Sequence, residues 1–191
     1  MTTRQPPCDN AGLLSRPVMS NPSEPLTLTE AQHWVRPGVS ADAPTIDAWL
    51  MARAPLAVPD ARARRLSLQA LLAQGGHGIC LIGGTSDGTN DGQGNFVCLL
   101  PVALVHSLST GGRIALAAEW WPPAASVGGT ADAWRDACCE VLADWCRAHG
   151  IRYIGLAPGL IADPMRAPTG FQRDTSGFWL RSLVPTPKRL G

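Results

Sequence analysis

The chain has 191 residues, of which 45% are hydrophobic and 16% charged, with a formal net charge of +1, enough apolar material for one domain with a sizeable core. The near-zero charge and the lack of any long Lys or Arg run disfavour nucleic acid and anionic membrane as partners; no apolar run approaches the roughly 20 residues that span a bilayer, so a cytoplasmic protein is expected. The six cysteines, Cys8, Cys80, Cys98, Cys138, Cys139 and Cys146, include no CxxC pair and sit largely in apolar segments, as reduced, buried thiols do, and no metal site is expected.

Residues 1–28 are rich in Pro, Ser, Asn and Thr and carry no hydrophobic period, so a disordered tail is predicted there, with one folded domain over 29–191. His33 to Arg36 reads as a short strand. Ser40-Ala41-Asp42-Ala43-Pro44 opens a helix that continues through Ile46, Trp49 and Leu50, since a proline suits the first turn. A second helix is predicted over Arg62 to Gln74, ended by Gly75-Gly76. Ile79 to Ile82 is a short apolar strand, and Gly83 to Asn95 a long glycine-rich loop whose acidic stretch from Asp87 to Gly92 lacks the distal glutamate of a calcium loop. Phe96 to Leu108 and Arg113 to Trp121 are strands joined by the tight turn Ser109-Thr110-Gly111-Gly112, which makes them antiparallel neighbours.

Trp134, Ala137, Cys138, Val141, Leu142, Trp145 and Cys146 recur at three- and four-residue spacings and share one face of a helix from about Ala131 to His149. Gly150 ends it and Ile151 to Leu156 forms a strand, completing a right-handed parallel crossover. Gly177 to Val184 supplies a last strand. The order describes a mixed α/β fold, a mostly antiparallel central sheet with helices on both faces.

The chemistry concentrates in the passage from strand to helix, Glu119-Trp120-Trp121-Pro122-Pro123-Ala124-Ala125-Ser126-Val127-Gly128-Gly129-Thr130-Ala131. A glycine-bearing loop that feeds a helix leaves backbone amides unpaired at the positive end of the helix dipole, where phosphate oxygens can accept from them. Small residues at Gly129 and Ala131 would let a pyrophosphate approach, and amides from Val127 to Ala131 would donate to it. A Gly-Gly turn before a helix is also common as a purely structural device. Glu119 is the only carboxylate between Phe96 and Trp121; beside two tryptophans it is a general-base candidate with an expected raised pKa, or else a solvated strand end. His106 is a weaker candidate.

With these residues in place, the sequence from roughly Trp34 to Leu183 resembles the GNAT superfamily of acyl-CoA N-acyltransferases. Arg36-Pro37 followed by Ala41-Asp42 is similar to the family's opening, and Gly170-Phe171 to its late Gly-Phe pair. The cofactor signature Q/R-x-x-G-x-G/A lies over Ser126 to Ala131, with Gly129 and Ala131 matching and Ser126 in place of Gln or Arg. The resemblance implies acetyl-CoA or another acyl-CoA as cofactor, bound by Trp120, Trp121, Ser126, Val127, Gly128, Gly129, Thr130 and Ala131. It also implies a splayed parallel strand pair, Ala117 to Trp121 opposite Tyr153 to Leu156, that receives the pantetheine arm.

The implied reaction is N-acetyl transfer by direct attack of a small-molecule or protein amine, with Glu119 as base. The family's acid tyrosine is replaced by Arg166, which could stabilise the departing thiolate by charge. Because Ser126 and Arg166 replace two functional residues, a weak or inactive member that binds CoA or a protein partner is the alternative; an unrelated α/β scaffold with a structural turn is the third reading. Edge strands allow a homodimer.

Overall fold

Alternation along two central strands sets the layering of the fold. In the computed structural model, which describes residues 32–86, 95–125, 127 and 130–184, Ile79 and Leu81 face one side of the sheet while Cys80 and Ile82 face the other, as a period of two requires. These residues belong to β2 (Gly78–Ser86), which pairs antiparallel with both β1 (Gln32–Pro37) and β3 (Asn95–Ser107). β3 pairs antiparallel with β4 (Gly112–Ala117), and β4 runs parallel to β5 (Tyr153–Leu156). With β6 (Gln172–Arg173) and β7 (Trp179–Ser182), the order across the sheet is β1-β2-β3-β4-β5-β7-β6.

Two helices, α1 (Ala43–Arg53) and α2 (Val58–Leu72), cover one face through Ile46, Leu50, Leu68 and Leu72, which pack with Cys80, Ile82 and Leu99. The other face takes α3 (Ala131–Ala148), whose Trp134, Cys138, Leu142, Trp145 and Cys146 pack on Ile79, Leu81, Leu100 and Val102. The expected mixed sheet with helices on both faces and one parallel pair is therefore present, and α3 has the face that its spacing gives. Among the described residues no helix is long and apolar enough to cross a membrane. The five described cysteines are free and buried, and burial pushes the thiols of Cys80, Cys139 and Cys146 up to about 12.

Several boundaries differ from expectation for local physical reasons. α2 starts at Val58, not Arg62, because Pro59 fits a first turn where no amide is needed; Leu66 consequently lies on its exposed side. The helix stops at Leu72, and the positive φ after it (51°) falls on Gln74, before the glycines. Gln74 Nε2 donates to the Gly38 carbonyl at 2.7 Å, which ties this turn to the end of β1. β2 runs on to Ser86, so the loop is shorter than expected; residues 87–94 lie outside the described residues, as does the predicted tail. The short β6, not expected from sequence, pairs with β7 through a turn in which Asp174 Oδ1 accepts from the amides of Ser176 and Phe178 at 2.9 Å each.

Arg36 on β1 meets Asp42 through two 2.8 Å bonds, and Asp42 also accepts from the Val39 amide at 2.7 Å, which fixes the entry into α1. The hydrogen bonds from Arg36 hold the Asp42 carboxyl below its ordinary value, helped by Val39 and by the Arg36 charge. A depressed folded-state pKa stabilises above the unfolded value of about 3.9 and is lost as pH falls through the folded one. Asp42→Asn keeps an acceptor for Val39 and removes the charge. It should lower the melting temperature at pH 7 by about 2–4 °C, for a partly exposed pair worth up to ~1 kcal/mol. The gap between variant and parent should narrow as pH falls below the unfolded value and through the lower folded one; a gap constant across pH would contradict the assignment.

Candidate functional site

β4 ends at Ala117, four residues before the expected Trp121, and the reason lies on its neighbour. The Leu104 amide donates to His77 on the β2 side, whereas the Leu99 amide donates to Trp121 on the β4 side. Alternation along β3 therefore turns position 101 toward β4, and Pro101 has no N–H to give. The ladder breaks there. Val102 pairs with Ala117 and Leu99 with Trp121, so three residues, Ala118, Glu119 and Trp120, stand opposite two, Leu100 and Pro101. This is a β-bulge, which bends its strand.

The bend carries the chain away from β5. Register between β4 and β5 runs from Ile114↔Tyr153 to Ala117↔Leu156, and one further bond joins the Ala157 amide to the Ala117 carbonyl at 2.9 Å. Beyond it the Trp121 backbone bonds back to Leu99, in both directions (2.9 and 3.0 Å), while the chain after β5 coils into a short turn at Pro158–Leu160. Tyr153 to Leu156 therefore stand opposite Ile114 to Ala117 and not, as expected, opposite Ala117 to Trp121; the strands part only beyond Ala117 and Leu156, where the bulge begins. Among the described residues no backbone partner is recorded for the amides of Ala118, Glu119 and Trp120, whereas the Trp121 amide, expected to be available, is spent on Leu99.

Glu119 is exposed at this bulge and not on a half-buried strand as expected. Its Oε2 accepts from the Trp121 indole Nε1 at 3.2 Å, and its charge is near enough to add to the rise in the Cys80 thiol pKa that burial causes. Cys80 and Trp121 both pack with the α1 and α2 cluster, while Trp120 packs against the α3 cluster. Glu119 therefore faces the α1–α2 side. His106 is exposed and opposite Arg113, near the β3–β4 turn and far along the strand from the bulge.

At the start of α3, Thr130 is the N-cap and its hydroxyl accepts from the Ala133 amide at 3.1 Å. The Val127 amide, expected to face a phosphate, is instead used within a turn on the Ala124 carbonyl at 3.0 Å. The amides that helix geometry leaves for an anion are then those of the first turn, at Ala131 and Asp132. Ser126, Gly128 and Gly129 lie outside the described residues.

The same helix start collects two arginines. Asp132 Oδ1 pairs with Arg135 at 2.9 Å and Oδ2 with Arg166 at 3.2 Å. Arg166 is exposed, sits in the short turn Pro164–Arg166 as the prolines of this segment imply, and makes no recorded hydrogen bond or ion pair with Glu119. Arg135 is 3% exposed and donates to the carbonyls of Leu160 (3.2 Å) and Arg166 (2.7 Å), pinning the segment after β5 to α3. Sequence reasoning passed over Arg135, although its position between Trp134 and Cys138 on the apolar face was a usable signal.

No protein-family model matches the sequence and no curated protein matches it. Solved structures do match the fold. The GNAT family N-acetyltransferase YhbS from Escherichia coli, solved in complex with CoA, is similar at a TM-score of 0.51 and 15% identity, over 81% of this chain and 83% of that one. A GNAT family acetyltransferase from Listeria monocytogenes gives 0.50 and 12%, over 82% and 97%. An integron cassette protein from the mobile metagenome of Cole Harbour Salt Marsh gives 0.51 and 19%, over 71% and 84%. With the bulged β4, the splayed parallel pair and α3 beginning at the gap, the chain has the fold of the GNAT family N-acetyltransferases.

Proposed function

We propose that the chain is an acyl-CoA-dependent N-acyltransferase, with acetyl-CoA as the first donor to test and an amine as acceptor. The observation that carries this reading is the opening between β4 and β5 beyond Ala117, beside which the amides of Glu119 and Trp120 have no recorded backbone partner among the described residues, followed along the chain by the N-terminus of α3. The residues present fit such a donor: a strand edge suits an extended amide-bearing arm, and a helix start suits a diphosphate. Acyl-CoA would supply a thioester carbonyl already activated toward amines.

The chain's own groups would then do three things. The amides at the bulge, Trp120 above all, would hydrogen-bond the carbonyl oxygen as negative charge gathers on it. Glu119, directly or through one water, would take the proton that the amine loses as the N–C bond forms and the C–S bond breaks. Arg166, anchored by Asp132 at the first turn of α3, would meet the donor's phosphates rather than its sulfur, offering the positive charge that Ser126 lacks. Most of the rate gain would come from holding amine and carbonyl in register.

The test is release of free CoA thiol from acetyl-CoA across a panel of primary amines. Amine-dependent release supports the reading. CoA binding without release from any amine would leave the non-catalytic, CoA-binding alternative, and absence of both would return the fold to a scaffold of other use.

A further inference from the structure

Glu119 opens onto a half-buried aromatic ledge. Its partner Trp121 stands edge-on to Trp49 of α1 at a centroid distance of 6.3 Å, and Trp49 meets Phe96 of β3 at 4.6 Å. All three rings keep part of their surface open. One turn along α1 from Trp49, the Arg53 guanidinium lies over the indole, 4.3 Å from its centroid. A carboxylate thus marks one end of the ledge and a guanidinium the other.

The cationic end is undercompensated. Arg53 has no carboxylate partner among the described residues, its recorded contact being the Trp49 ring. Arg64 of α2 spends one terminal nitrogen on the Ala54 carbonyl at 2.9 Å, and its Nε and other terminal nitrogen are buried without a partner. The C-terminal dipole of α1 accounts for attraction of one cation. It does not account for Arg64, which meets the Ala54 carbonyl with two further buried donors unbonded, an arrangement that costs free energy unless an acceptor arrives.

We infer that the acceptor amine carries a carboxylate at the far end of a flat, apolar spacer. The amine sits at Glu119, the spacer lies on Trp121 and Trp49, and the carboxylate reaches Arg53. The inference rests on the acyltransferase reading above and deepens it from any amine to an amphoteric, aromatic-bodied one. Guanidinium suits the anion because its fork bonds a carboxylate in two places, and Trp49 holds the Arg53 plane while it does so.

Two probes separate the features: 4-(2-aminoethyl)benzoate, with both charges, and 2-phenylethylamine, with the amine alone. Thiol release should show a kcat/KM about tenfold or more higher for the first, the size of one charge-assisted bond, carried by KM. Arg53→Gln should bring the ratio close to one, whereas the exposed Arg62→Gln should keep it. Independently of turnover, with CoA present 4-(2-aminoethyl)benzoate should raise the melting temperature of the parent and not of Arg53→Gln. Equal kcat/KM for the two probes, or a ratio that survives Arg53→Gln, overturns the inference. So does a protein stabilised by acetyl-CoA that neither binds nor acetylates the benzoate, which leaves the acyltransferase reading standing. Absence of any acetyl-CoA stabilisation removes both together.

Discussion

Arg135→Ala should lower stability by about 2–4 kcal/mol, the cost of stranding two carbonyls and emptying a buried position. The guanidinium is 3% exposed and holds Asp132, Asp136 and the carbonyls of Leu160 and Arg166. Its loss strands two carbonyls and leaves Asp136 without the charge that offsets its burial; desolvation already pushes that carboxyl up and Arg135 pulls it down. Arg135→Met, which keeps most of the stem, should recover only the packing part. Urea unfolding of parent and variants gives the numbers, with the midpoint falling at unchanged m. A cost under about 1 kcal/mol would mean that the segment after β5 is held by something other than this residue.

Glu119→Gln should lower kcat about 10²–10⁴-fold against an accepted amine, the range for losing a general base, with little change in KM. The substitution is discriminating because a glutamine oxygen can still accept from the Trp121 indole, so the local hydrogen bond (3.2 Å in the parent) survives. Loss of rate then reports proton transfer and not a displaced tryptophan. A variant within threefold of the parent would remove Glu119 from the mechanism.

Much of the architecture is written in patterns that need no tertiary knowledge. α3 follows from apolar residues at helical spacing, and the β3–β4 hairpin from a glycine turn between apolar runs. The bulge is different in kind. Pro101 is visible in the sequence, but whether its missing N–H faces β2 or β4 depends on register, so the four-residue shortening of β4 could not be read without the sheet. Likewise the Trp121 and Val127 amides look available until Leu99 and Ala124 claim them.

The candidate site divides along the same line. Glu119 and the start of α3 are legible because their residue types are rare in their surroundings: one carboxylate in an apolar run, small residues before a helix. Arg166 is legible as a departure from the resembled family, but its place beside Asp132 is a product of folding. The ledge joining Glu119 to Arg53 was hidden because Trp49, Phe96 and Trp121 come from three separate elements, and each alone reads as core.

In the proposed acyltransferase, the gap between β4 and β5 and the start of α3 form one donor site. Calorimetric titration of acetyl-CoA into the parent and into Gly129→Trp tests it most directly, with circular dichroism to verify that the variant is folded. Saturable binding to the parent that is lost in a folded Gly129→Trp is the expected result. Heat that never saturates in the parent, or binding unchanged by a tryptophan at the helix entrance, would contradict it.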